Sequence, residues 1–182
     1  MNCKKIQQKL RLYFPFQPTS KQNQIINDIS EFVTTIGNKS IFILKGYAGT
    51  GKTTLVSTLV KSLPSIGKRS VLMAPTGRAA KVLSKYSKKF ASTIHRKIYW
   101  IRTNKSVNIF IKLKENLHTN TIFIVDEASM IPEASDSGFG NRSLLQDLIK
   151  YVYEGIDCKL ILVGDKAQLP PVNLDISPAL NE

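Results

Sequence analysis

The sequence predicts an α/β fold, a parallel sheet flanked by helices, and three observations predict it. Four short apolar runs, at 41–44, 71–74, 122–125 and 160–163, are continuous rather than alternating, as strands buried on both faces are. Stretches with helical spacing lie between them, and strand alternating with helix is the signature of this class. Each run delivers a polar cluster at its C-terminal end: "GYAGTGKT", "PTGR", "DEAS" and "GDKAQ". Ligands of open α/β sheets bind along that edge.

The elements follow in order. Residues 1–17 read as an N-terminal helical extension, and the main domain runs over 18–182. Ile25, Ile26, Ile29, Phe32, Val33 and Ile36 mark a helix starting near Thr19 and Ser20. Leu55, Val56, Leu59, Val60 and Leu63 mark a second, directly after the first strand's glycine-rich cluster. A third follows "PTGRAAKVLSKY", with Thr76 as its N-cap. Residues 98–114 alternate Val107, Ile109, Ile111 and Leu113 with polar or mixed neighbours after the turn "TNKS". They read as a β-hairpin, within an insertion at 98–118 between the second and third core strands. Residues 132–141, "PEASDSGFGN", read as a small-residue loop. Leu144, Leu145, Leu148, Ile149 and Val152 mark the helix before the last strand.

The chain has 182 residues, enough for one domain with a small insertion. No apolar run approaches the roughly 18 residues of a membrane span, and the start carries no secretion signal. A cytoplasmic setting is the expectation. Cys3 and Cys158 form no CxxC pair and no Cys/His cluster, so neither a disulfide framework nor a zinc site is expected. The formal net charge of +13 favours polyanionic partners such as nucleic acid or nucleotides, although a merely solvated basic surface has the same balance.

Gly46 to Thr53 fits G-x-x-x-x-G-K-[ST]. A loop that wraps a phosphate turns its N–H groups inward, through dihedrals and close approaches that side chains would block. Gly46, Ala48, Gly49, Thr50 and Gly51 form that loop, and the helix starting near Lys52 adds its positive N-terminal end. Lys52 reaches the β- and γ-phosphates of ATP, the Thr53 hydroxyl serves Mg²⁺, and Thr54 completes the cradle. "IFIVDEAS" ends a strand in Asp126 and Glu127. Beside a phosphate loop, Asp126 reads as the metal residue and Glu127 as the general base that orients water; alone, the pair reads equally well as an acidic helix start. Gln168, held before Pro170 and Pro171, is placed to hydrogen-bond a γ-phosphate and sense its loss, or else belongs to a surface turn.

With these residues in place, the chain resembles the first motor domain of a superfamily 1 DNA helicase of the RecD and Dda type, which moves 5′ to 3′. "GYAGTGKTT" resembles motif I, "APTGRAAKVL" motif Ia, "STIHR" motif Ib, "IVDEASM" motif II and "VGDKAQLPPV" motif III. "PTSKQ" at 18–22 resembles the adenine-reading motif. The resemblance implies a RecA-like P-loop NTPase fold and ATP hydrolysis with Mg²⁺. It implies that Gln22 reads the adenine and that Thr76, Arg78, His95 and Arg96 lie along single-stranded DNA. The residues alone also leave open a packed helix position for His95 and a plain surface one for Arg78. His118 belongs to no motif and reads as structural. The hairpin falls where such helicases carry a strand-separating pin, and Trp100 and Phe110 either stack on bases or pack on the core.

Nothing after Val172 corresponds to the second motor domain of these helicases or to its arginine. The expectation is therefore a first lobe whose partner lobe comes from a longer chain or another protein. Such a lobe binds nucleotide, hydrolyses it slowly and does not translocate. By resemblance the pathway is DNA recombination or repair. A nucleotide-dependent DNA-binding or assembly module with little catalysis is the alternative. A kinase would not call for "DE" plus "GDKAQ", and an AAA+ ATPase would add a helical lid with a sensor arginine.

Overall fold

A computed structural model describes residues 2–37, 39–103, 109–132 and 143–165. The elements that build the domain are α1 (Asn2–Tyr13), α2 (Ser20–Thr34), β1 (Ile41–Lys45), α3 (Lys52–Ser62), β2 (Arg69–Ala74) and α4 (Gly77–Ser87). They continue with β3 (Ala91–Thr93), α5 (Ile94–Ile98), β4 (Tyr99–Thr103), β5 (Ile109–Leu113), β6 (Thr121–Val125), α6 (Leu144–Glu154) and β7 (Lys159–Gly164). Five strands form one sheet in the order β1-β7-β6-β2-β3, and every neighbouring pair in it is parallel. β4 and β5 pair antiparallel as a separate hairpin.

The central strands explain the continuous apolar runs. β6 and β7 are buried along their whole length, and alternate residues feed opposite faces. Ile122, Ile124, Ile161 and Val163 join one core with α1, α2, α3 and α4. Phe123, Val125, Leu160 and Leu162 join the other with α5 and α6. β1 stands at the sheet edge, and only its Leu44 is fully buried.

The helix starts are set by short polar side chains. Thr19 and Gln22 form a reciprocal capping box on α2. Thr76 caps α4 by accepting the Ala79 N–H at 3.2 Å, as its position predicts. Thr93 caps α5 and Ser143 caps α6 in the same way.

Two expectations are corrected here. The first domain helix stops at Thr34, not Ile36: Thr35 is extended, Gly37 has φ +77°, and Ile36 is 84 % exposed. The sheet also has a fifth strand, β3, which three residues without an apolar run did not reveal. The turn of the hairpin and, apart from Pro132, the loop expected at 132–141 lie outside the described residues. No helix among the described residues is long and apolar enough to cross a membrane.

One core position is chemically unusual. Lys159 is 1 % exposed, and its Nζ has no hydrogen-bond partner among the described residues. It sits 4.7 Å from the Phe32 ring centroid, a cation–π contact. Burial pushes its ammonium down, nearby Lys68 adds to this, and Asp157 opposes it. A base whose folded pKa is lowered weakens the fold as pH falls through its ordinary value of about 10.4. Lys159→Met, of similar volume, should therefore stabilise the domain at pH 7 by about 1 kcal/mol, roughly 2–4 °C in Tm. The gain should shrink as the pH approaches 10. Thermal melts across that range check it, and a lower Tm for the variant at pH 7 would contradict it.

Candidate nucleotide-binding site

The loop from Gly46 to Gly51 joins β1 to the N-terminus of α3 at the C-terminal edge of the sheet. Gly49 and Gly51 take φ +78° and +90°, and Gly51 is the N-cap of α3. Side chains rarely adopt such angles. At Gly46 a Cβ would lie 2.9 Å from Thr50 Oγ1, and at Gly51 2.9 Å from Gln22 Nε2. A side chain at either position would push aside a neighbouring side chain, and at Gly49 and Gly51 the dihedral itself favours glycine.

Lys52 opens α3 and folds back over the loop. Its Nζ donates to the carbonyls of Gly46 at 2.5 Å and Tyr47 at 2.8 Å. Asp165 Oδ2 stands 3.7 Å from the same nitrogen. Asp165 directly follows β7 and is 4 % exposed; the sequence shows it only as part of a strand end. Register explains its arrival, because Lys45 pairs with Gly164 and so Gly46 and Asp165 follow their strands at the same level.

Asp126 and Glu127 follow β6. The Glu127 N–H donates to Asp126 Oδ1 at 3.0 Å, and Glu127 takes φ +56°. A non-glycine residue in the left-handed region costs energy and concentrates at functional sites. Burial raises the pKa of Asp126. The Glu127 charge adds to that rise, while the Glu127 N–H and Lys52 oppose it.

A cavity of about 570 Å³ brings the predicted groups together: Ala48, Gly49, Gly51, Lys52, Thr53 and Thr54 face Asp126, Glu127 and Asp165. Its volume suits a nucleotide-sized ligand. Tyr13 and Tyr86 also line it; their distance from the loop in sequence left no signal to find them by. A second cavity, about 520 Å³, lies on the other side of the loop and is lined by Thr19, Gln22, Gly46, Tyr47 and Thr50 among others. Gln22 is committed there. Its Oε1 accepts the Thr19 N–H at 3.0 Å, and its Nε2 donates to the Thr50 carbonyl at 3.2 Å.

The donor set fits a triphosphate with a divalent cation. The loop offers backbone N–H groups, a lysine and a helix N-terminus. Asp126 offers a desolvated carboxylate that a cation would satisfy. Among the described residues no group of three or more His, Cys, Asp or Glu could hold a metal. A magnesium ion would therefore depend on Thr53, Asp126, water and substrate phosphate, its usual pattern.

The residues expected along DNA sit elsewhere on the same side. Thr76 and Arg78 are exposed at the start of α4. His95 and Arg96 occupy α5; Arg96 is exposed, and burial pushes the His95 imidazole down. The His95 ring lies 5.9 Å from that of Tyr99. Trp100 is 60 % exposed on β4, with Lys114 Nζ 4.7 Å from its ring. Gln168 lies outside the described residues.

A phosphate loop fed by an edge strand, facing carboxylates from the next strands of a parallel sheet, defines the P-loop NTPase class, and this chain is one. The AAA domain family profile matches residues 30–174. The chain belongs to that family, and its type is the RecD/Dda motor domain of superfamily 1 helicases. It is 35 % identical over 132 residues to the ATP-dependent DNA helicase Dda of Enterobacteria phage T4, covering 71 % of this chain and 28 % of that protein. It is 29 % identical over 156 residues to the ATP-dependent RecD2 DNA helicase of Deinococcus radiodurans, covering 86 % and 20 %. To the RecBCD enzyme subunit RecD of Buchnera aphidicola it is 33 % identical over 174 residues, covering 84 % and 26 %. The chain thus spans between a fifth and a third of these relatives.

The raised pKa of Asp126 has a consequence for stability. An acid raised in the fold contributes most below its unfolded value, near 3.9, and that contribution is lost as pH rises through its folded one. Without nucleotide, Asp126→Asn should raise Tm at pH 7, by 2–4 °C for each ~1 kcal/mol relieved. The amide oxygen still accepts the Glu127 N–H. The difference should close as pH falls below about 4. Calorimetry at pH 7 and 4 checks it; a variant less stable at both would contradict the desolvated carboxylate.

Proposed function

We propose that this domain is the ATP-binding first motor lobe of a DNA helicase, and that it grips single-stranded DNA. The observation that carries this reading is the shared cavity, in which the phosphate loop faces Asp126 and Glu127. The names of the relatives support the substrate class.

In this reading Gly46, Ala48, Gly49, Thr50 and Gly51 wrap the phosphates, and Thr53 and Thr54 add hydroxyls. Lys52 exchanges two neutral carbonyls for phosphate oxygens, which hold its charge better. Thr53 and Asp126 hold Mg²⁺, whose charge offsets that gathering on the phosphates. Glu127 accepts a proton from the attacking water, and its left-handed backbone turns it into the cavity region beside Asp126. Asp165 keeps Lys52 from wandering. Gln22 reads the adenine by exchanging its bond to the Thr50 carbonyl for one to the base, so that the base informs the loop. Gln168 couples loss of the γ-phosphate to movement. Thr76, Arg78, His95 and Arg96 line the strand, and a second motor lobe completes the ATP site. A role in recombination or repair belongs to the same proposal and rests on the RecD-type resemblance.

The test is ATPase activity with and without single-stranded DNA, in the full-length gene product. Strong stimulation is expected; binding without turnover would support an assembly module instead. Lys52→Ala should abolish nucleotide binding, read by fluorescent-nucleotide titration. Glu127→Gln should bind nucleotide as wild type does and lose about 10²–10⁴ in turnover. Normal hydrolysis by Glu127→Gln would remove the general-base role.

A further inference from the structure

Four basic groups, three cations and an imidazole, gather where α5 meets the segment between β5 and β6. Lys97 Nζ lies 2.8 Å from His118 Nε2. Arg69, at the start of β2, donates to Thr119 Oγ1 at 2.9 Å. Lys114 Nζ donates to the Arg96 carbonyl at 2.8 Å and stands against the Trp100 ring. These groups follow one another from the hairpin to the N-terminal edge of the sheet, away from the phosphate loop. None of the four makes an ion pair with a carboxylate among the described residues.

The Lys97–His118 contact is informative. At 2.8 Å one nitrogen must accept, so the ammonium donates to a neutral imidazole. A second proton would place two cations in contact. Burial lowers the pKa of both groups; Lys114 adds to the lowering at Lys97, and Lys97 and Arg69 add to it at His118. Among the described residues no carboxylate pairs with His118: Asp157, next to the Ile156 that donates to the His118 carbonyl, is held by Lys68 at 2.6 Å. Cys158 donates to the His118 carbonyl at 3.4 Å with the thiol pushed up by burial, Phe123 meets the His118 ring edge-on, and Glu115 is exposed on the same segment.

We infer that this strip, from Trp100 through Lys114, Lys97 and His118 to Arg69, seats the sugar–phosphate backbone of double-stranded DNA. The inference rests on the DNA-motor reading and extends it from the single strand to the duplex beside the hairpin. Lys, Arg and His⁺ are the groups that neutralise phosphate. Beyond Trp100 the strip has no ring to stack on an unpaired base, because His118 is engaged with Phe123. A surface that offers charge without stacking suits a helix whose bases are already stacked inside. The position also leaves Thr76, Arg78 and Arg96 to the single strand. A phosphate between Lys97 and His118 lets both carry a proton. Duplex binding therefore takes up a proton, and affinity rises as pH falls.

The experiment measures binding of the 182-residue chain to a blunt duplex and to a single-stranded oligonucleotide by fluorescence anisotropy, across salt and pH. For Arg69→Ala with Lys97→Ala, the duplex slope of log K against log salt should become shallower by about 2, at ~0.9 per phosphate contact, with the single-strand slope unchanged. Between pH 8 and 6, duplex affinity should climb more for wild type than for His118→Gln. Thermal melts establish that each variant is folded. If the double variant does not fold, the pH comparison with His118→Gln decides alone. An unchanged duplex slope in the folded double variant, or an equal pH response in His118→Gln, overturns the duplex seat. If the wild type binds neither DNA, the motor reading falls with it; single-strand binding with an unaltered duplex response removes only this inference.

Discussion

The register of β1, β7 and β6 is the constraint on which the site depends. Leu44 lies opposite Val163 and Lys45 opposite Gly164, while Val125 lies opposite Leu162. Three chains therefore leave the sheet at nearly one level, and the Gly46 N–H still reaches the Gly164 carbonyl at 3.3 Å. The loop begins where Asp165 and Asp126 emerge. A one-residue slip would carry Ile161 and Val163 from one core to the other, because successive side chains face opposite ways. Two apolar cores thus hold the alignment of the polar residues, although none of those residues contributes to either core.

What the cores secure, the loop geometry spends locally on strain and desolvation. Gly49 and Gly51 absorb the left-handed turns without a side-chain penalty, but Glu127 takes φ +56° with a full side chain. Beside it a buried carboxylate sits with its pKa raised. Both are unfavourable in isolation: the surrounding fold holds the backbone strain, and a partner with positive charge would relieve the buried carboxylate. Lys52 is the converse case, a cation whose ammonium makes do with two carbonyls and a carboxylate at 3.7 Å and is better held by an anion. A site with unsatisfied charge of both signs around one cavity is poised for a ligand that carries phosphate and brings a cation.

Legibility in the sequence followed the length of each signal. The four continuous apolar runs were readable because burial on both faces demands continuous apolar residues, and the helices between them because their apolar residues keep helical spacing. The cap at Thr76 was readable because capping is local chemistry. β3 was not, since a three-residue edge strand buries only Ala91 fully and needs no run. The end of α2 was misplaced because Ile36 continues the apolar spacing, yet the chain turns at Gly37. Asp165 was half-visible: its strand was clear, but its approach to Lys52 depends on pairing between β1 and β7, more than a hundred residues apart. The bond from the Gln22 amide to the Thr50 carbonyl and the burial of Lys159 are tertiary facts, and composition assigns both residue types to the surface.

Positive charge is used differently at the two ends of this domain. At the C-terminal edge it is concentrated, desolvated and matched against carboxylates within one cavity, which favours a compact ligand with alternating charge. Toward the opposite edge Lys114, Lys97, His118 and Arg69 are spread in sequence and lack described acidic partners, an arrangement that suits an extended polyanion. A net charge of +13 leaves the choice between a solvated basic surface and a binding one open. The Lys97–His118 contact narrows it. Two freely solvated bases would separate rather than share a hydrogen bond at 2.8 Å, whereas packing of His118 against Phe123 holds them together in a state that an added phosphate improves.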